Sequence, residues 1–137
     1  MVELRIPVSV GELIDKITIL QIKVERISQA SQLTNVRREL DALNAVWQAS
    51  SHQRATVEPL QTELKAVNCR LWDIEDALRQ KESRQQFDAD FIALARRVYV
   101  ENDRRAAVKR QINQITGSLY MEEKSYQAYV QDEPPLG

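Results

Sequence analysis

The chain has 137 residues, 43% of them hydrophobic and 28% charged, with 3 Gly, 4 Pro and 6% aromatic residues. A β-sandwich or barrel of that length needs tight turns that 3 glycines do not supply, and the length suits one domain able to bury a core without a metal or disulfide as staple. Lys and Arg number 19 against 20 Asp and Glu, and the net charge of -1 offers no bulk attraction to nucleic acid or to an anionic membrane.

Cys69 is the single cysteine and sits in a helical pattern, as expected of a reduced, cytoplasmic protein. No signal peptide is recognisable, and no apolar run approaches the roughly 20 residues of a membrane span. At the start, Val2, Leu4, Ile6 and Val8 alternate with polar or proline positions. That period of two marks residues 1–8 as an extended segment, too short to form a sheet alone and in need of a partner from the tail or from another subunit.

Ser9 followed by Glu12 fits a capping box, in which hydroxyl and carboxylate each satisfy a free backbone N–H. The helix it opens is expected over 9–28, with Leu13, Ile17, Leu20, Val24 and Ile27 as its buried stripe. Ile14, Ile19 and Ile22 fall elsewhere on the wheel, with Ile22 roughly opposite Leu13, so cover on more than one face is expected, from the extended segment or a second chain. Val36, Leu40, Leu43 and Trp47 predict a second helix over 34–49, and the short connection makes it an antiparallel neighbour. The run 50–56, with His52, reads as a solvated loop, and Pro59 is expected in the first turn of the next helix, where its missing N–H is harmless.

Val57, Leu60, Leu64, Val67, Leu71, Ile74 and Leu78 alternate at spacings of three and four and predict a long third helix over 57–84. Asp88 is expected as the N-cap and Gly117 as the stop of a fourth helix over 89–116, whose stripe is Leu94, Val98, Val108, Ile112, Ile115 and Leu119. The tail, 118–137, carries Tyr120, Tyr126 and Tyr129, which are expected to pack on the helices while the last six residues do not. The fold expected is therefore all-α: a single domain, 1–137, built as an antiparallel helical bundle of two hairpins, the second long and coiled-coil-like. Its longer second hairpin, with Ile19 and Ile22, leaves apolar seam uncovered in a monomer, so a homodimer is expected.

One His and one Cys in different elements provide neither a metal set nor a nucleophilic pair, and the isolated glycines form no phosphate loop. No catalytic residue, metal ligand or cofactor is therefore assigned. Between Phe91 and Gly117, Arg96, Arg97, Arg104, Arg105, Lys109 and Arg110 face only Glu101 and Asp103, but the cations do not form one stripe and read as a solvated surface. The polar break in the fourth stripe, Glu101 and Arg105, is more informative. An antiparallel turn near Phe87 would place Glu101 near Asp73 and Arg105 near Cys69, with Asn68 and Glu75 beside them. Arg105 is then expected to pair with Glu101 or Glu75, supported by Asn68 and Asn102, in a network that fixes register. Asp15, Lys16 and Thr18 pose the same question on the first helix. The alternative use of Asn68, Glu75, Glu101, Asn102, Arg105 and Lys109 is to grip a small anionic ligand.

The segments Val8-Ser9-Val10-Gly11-Glu12-Leu13-Ile14-Asp15-Lys16-Ile17, Leu64-Lys65-Ala66-Val67-Asn68, Leu71-Trp72-Asp73-Ile74-Glu75-Asp76 and Asn102-Asp103-Arg104-Arg105-Ala106-Ala107, with Glu122-Glu123-Lys124-Ser125-Tyr126, resemble an uncharacterised family of short bacterial helical proteins, a domain of unknown function. The resemblance covers nearly the whole chain. It implies a bacterial, stand-alone domain and leaves activity open. The function expected is a non-catalytic interaction or scaffolding module with a bacterial protein partner. A small-molecule enzyme or sensor with a polar pocket between helices is the alternative and a nucleic-acid binder the third reading; a membrane partner is not expected.

Overall fold

The polypeptide enters its first helix at Ser9, whose hydroxyl accepts the Glu12 N–H at 3.1 Å. The structure, a computed structural model, describes residues 1–52 and 54–129. It is all-α, with helices α1 (Val10–Arg26), α2 (Ala30–Ala49), α3 (Arg54–Ser83) and α4 (Ala89–Thr116) and no strand among the described residues. α1 packs against each of the other three, and α3 and α4 pack along one another. None of these helices is long and apolar enough to cross a membrane.

The central position of α1 follows from its composition. Ile14, Ile17 and Ile22 are essentially inaccessible, as are Asp15 and Thr18, so the helix is covered on more than one face by its own chain, and Ile22, expected to be left uncovered in a monomer, is not. Leu13, Ile14 and Ile17 join Trp47 of α2, Val57 and Leu64 of α3, and Val108 and Ile112 of α4 in one apolar core. Leu40, Leu43 and Leu60 close its edge. The three-four spacing seen in the sequence selects the buried faces of α3 and α4 at Val57, Leu64, Val67, Ile74, Val108 and Ile112, but the expected α4 stripe stops there: Ile115 is exposed in the last turn, and Leu119 is exposed beyond the helix end at Thr116.

The helix ends correct several expectations. α2 begins at Ala30 and α3 at Arg54, each earlier than the apolar pattern indicates, because their opening turns are exposed and carry no apolar signal. Pro59 consequently falls in the second turn of α3, where it cannot donate to the Ala55 carbonyl. His52 is half-buried and stacks on Trp47 with ring centroids 6.1 Å apart. The Ser9 hydroxyl caps α1 as expected, but Glu12 does not complete the capping box and bonds Lys109 instead.

Both ends of α3 and α4 that meet a turn close in the same way. The Ser118 N–H reaches the Asn113 carbonyl at 2.9 Å and Gly117, at φ 64°, supplies the left-handed residue of a Schellman motif. After α3 the Gln86 N–H reaches the Lys81 carbonyl at 2.9 Å and the Gln85 N–H reaches Glu82 at 3.0 Å. There the left-handed position is Gln85, at φ 56°, a non-glycine in a conformation that favours glycine.

Residues 1–8 have no assigned secondary structure, and Val2, Leu4 and Ile6 are exposed. The tail turns back along α4: Glu122 meets Lys109, Glu123 meets Arg110 and the Tyr129 hydroxyl donates to Asp103 at 2.6 Å. The expected packing of the tyrosines is realised at Tyr129, whose ring lies 6.2 Å from that of Tyr99, although Tyr99, Tyr120, Tyr126 and Tyr129 are all exposed. The expectation for the last six residues lies outside the described residues.

Candidate functional site

Asp15 lies on the face of α1 that meets α3 and α4, and its side chain is completely enclosed. Two other helices converge on it. Arg105 of α4 donates Nε to Asp15 Oδ1 at 2.9 Å and an Nη to Oδ2, a bidentate pair that matches the planar fork of a guanidinium to a carboxylate. Asn68 of α3 donates its Nδ2 to Asp15 Oδ1 at 2.9 Å and to Thr18 Oγ1 at 3.0 Å. Thr18 in turn donates to the Asp15 carbonyl at 2.8 Å.

Burial by itself would push the Asp15 carboxyl up. The Arg105 and Asn68 hydrogen bonds, with the positive charges of Arg105 and Lys109, outweigh it and hold the carboxyl below its ordinary range. Arg105 is held above the ordinary arginine value, chiefly by its bond to Asp15.

One turn further along α4, buried Lys109 sits with Nζ 3.9 Å from Asp15 Oδ2, 2.7 Å from Glu12 and 2.6 Å from Glu122 of the tail. Burial would lower its pKa; the bonds to Glu12 and Glu122 raise it above the usual lysine value. Lys109 correspondingly holds Glu122 low. At the end of this row Gly11 donates its N–H to Asn113 Oδ1 at 2.6 Å, and the Val10 N–H bonds Ser118 Oγ at 3.1 Å. A Cβ on Gly11 would stand 2.5 Å from the Lys109 carbonyl oxygen, so the close approach of α1 to α4 requires glycine there.

The expected partner of Arg105 is therefore corrected. Neither Glu101 nor Glu75 takes it; Asp15 does, because Arg105 faces α1. Glu101 is buried and meets Arg70 Nε at 3.0 Å, one helical turn from the expected Asp73, and Arg104 at 3.9 Å. The Arg70 approach lacks the alignment of a hydrogen bond, and Arg70 Nε, Glu101 Oε2 and Arg104 Nη2 are buried without one. Glu75 is exposed and pairs with Arg79 at 2.8 Å, while Asp73 pairs with Arg26, whose guanidinium also lies 5.8 Å above the Trp72 ring. Lys16 is exposed.

Of the six residues singled out from the sequence, Asn68, Glu75, Asn102 and Arg105 line one open cleft of about 300 Å³, with Ile19, Ile22, Leu71, Trp72 and Val98. Glu101 and Lys109 lie apart from it, in the Arg70 and Glu12 pairs. Sequence reasoning passed over Glu12 as a Lys109 partner, Gly11, Asn113 and Glu122. A glycine in the first turn of an otherwise glycine-poor helix was the available signal for the first contact. Among the described residues no group of three His, Cys, Asp or Glu side chains stands close enough to hold a metal ion.

An all-α chain with a charged row linking three helices is the class that the fold and this cluster define. The chain belongs to the family of unknown function DUF6165, which matches residues 4–136. No curated protein and no solved structure matches it at a significant level.

Proposed function

We propose that the chain is a non-catalytic interaction or scaffolding module that self-associates as a homodimer and presents its outer surface to a bacterial protein partner in the cytoplasm. One observation carries this reading. The charges around Asp15 are engaged with one another, Asp15 by Arg105 and Asn68 and Lys109 by Glu12 and Glu122, while large apolar side chains such as Val2, Leu4, Ile6, Ile92 and Leu119 stand in solvent. A satisfied buried network fixes how helices meet, and exposed apolar area is what a partner covers.

The same reading takes the chain as one domain, an antiparallel bundle of two hairpins with a coiled-coil-like second. Its support is the sense of the pairing. Arg70 meets Glu101 while Lys81 meets Asp88, so numbers rise on one side as they fall on the other, and Gly11–Asn113 and Asp15–Arg105 run the same way between α1 and α4. The lone Cys69, with no disulfide, suits a reducing compartment.

The cleft beside Arg105 favours a second reading, a small-molecule enzyme or sensor for an anionic ligand. Its electrostatics argue against it: Arg105 is matched by Asp15, and Glu75 adds negative charge to the lining. The nucleic-acid reading is weakened likewise, since Arg104, Arg105, Lys109 and Arg110 all face carboxylates.

A thermal-shift series against anionic metabolites separates these readings. The module reading expects no shift, together with a co-purifying protein that reconstitutes with the purified chain at fixed stoichiometry. A compound that raises Tm with its concentration by the amount linkage requires, about 2.7 kcal/mol at a hundredfold excess over Kd, and whose effect is lost in Asn102→Leu, overturns it.

A further inference from the structure

The arm at residues 1–8 is the part of the molecule whose chemistry the helices leave unused. Among the described residues its backbone pairs with nothing, and Val2, Leu4 and Ile6 are 90%, 85% and 71% exposed. Arg5 Nε meets Glu3 Oε1 at 2.9 Å, a contact between side chains two residues apart. Side chains at that spacing share a face only in extended backbone. Glu3 and Arg5 therefore occupy one face of the arm, and Val2, Leu4 and Ile6 the other.

We propose that this arm is the self-association site: two copies pair Val2–Ile6 with Val2–Ile6 as antiparallel strands about a two-fold axis through Leu4. The proposal rests on the self-association read above and names its location. What commits the arm to a second copy is that its sequence is complementary to itself. With Leu4 opposite Leu4, Val2 faces Ile6 and Glu3 faces Arg5, each twice, so the charged face forms two cross-strand ion pairs and the other face is wholly apolar.

Proline selects the same register. If the Leu4 pair exchanges its two N–H···O bonds, so do the two Val2–Ile6 pairs, and the odd-numbered residues turn their backbone groups outward. Pro7, which has no N–H to give, is odd-numbered and falls where none is needed. The Glu3–Arg5 pairs then occupy the closer, non-hydrogen-bonded positions, where side chains meet best.

A two-stranded ribbon is marginal alone. The arm joins α1 where the Val10 N–H is tied to Ser118, the residue before exposed Leu119.

Register is read by cysteine crosslinking in a Cys69→Ser background, with mass from light scattering on the full chain at tens of micromolar. The unaltered chain is expected at twice 15.8 kDa. Leu4→Cys is expected to oxidise to a covalent dimer, since facing Cα atoms lie about 5.5 Å apart. Val2→Cys is not, because each copy is displaced by four residues, about 13 Å. E3R, which sets like charges opposite one another, is expected to give the monomer mass, and E3R/R5E to restore the dimer. A monomeric unaltered chain overturns both this site and the homodimer. A dimer that persists in Leu4→Pro, or crosslinks equally at Val2 and Leu4, overturns the arm alone and leaves self-association standing.

Discussion

Replacing Arg105 by alanine tests the centre of the polar cluster. Asp15 Oδ1 would retain the Asn68 bond at 2.9 Å, but Oδ2 would lose its hydrogen bond and keep only the Lys109 ammonium at 3.9 Å. Two charge-assisted hydrogen bonds disappear, each contributing about 1.5–3 kcal/mol, and an uncompensated buried charge costs about 3–5 kcal/mol. The remaining Lys109 and water entering from the cleft place the loss at the lower end, about 3 kcal/mol. With a urea slope of about 1–3 kcal/mol/M, the midpoint should fall by about 1–3 M.

Acid supplies an internal control. Asp15 has a depressed pKa, so its contribution is present above the ordinary carboxyl range and is lost as pH falls through its folded value. In Arg105→Ala the carboxyl loses the largest of the effects that depress it, keeping those of Asn68 and Lys109, while burial still pushes upward. The gap between the two proteins should therefore be widest near neutrality and narrow in acid. A loss below about 0.5 kcal/mol at neutral pH, the range of surface changes, or a gap that widens as pH falls, would refute the reasoning.

Gly11→Ala should cost about 1–3 kcal/mol by thermal or urea melts, because the added Cβ meets the backbone carbonyl of Lys109 at 2.5 Å rather than a side chain able to move. Gln85→Gly should stabilise by up to about 1 kcal/mol in the same assay, relieving the left-handed position at φ 56°. Glu122→Gln should cost less than about 1 kcal/mol, because its partly exposed pair with Lys109 is screened. Since Lys109 holds Glu122 low, that small cost should be present above the ordinary glutamate range and vanish in acid, as read by melts across pH.

Four helices and their buried faces were legible because apolar residues at spacings of three and four report burial wherever a helix has one wet and one dry side. The same signal fails at Ala30 and Arg54, where the helix has no dry side and its polar residues resemble a loop. The polar cluster was legible in membership and not in pairing. Asn68, Arg105 and Lys109 stand out as polar residues on or beside apolar stripes, but reasoning confined to α3 and α4 seeks the partner of Arg105 on α3 and misses the carboxylate that α1 inserts from a third direction. Glu122 was illegible for a related reason: nothing in periodicity indicates that a non-helical tail turns back to reach Lys109.

The ties between the start of α1 and the end of α4 make chain order there partly redundant. Val10 to Ser118 and Gly11 to Asn113 hold the two positions together across more than a hundred residues of sequence. A short linker from the end of α4 to Ser9, with the chain opened at the polar loop between α2 and α3, would string the same helices in the order α3, α4, α1, α2. The contacts of α1 with the other three are made through space, and none of them depends on which helix the ribosome completes first.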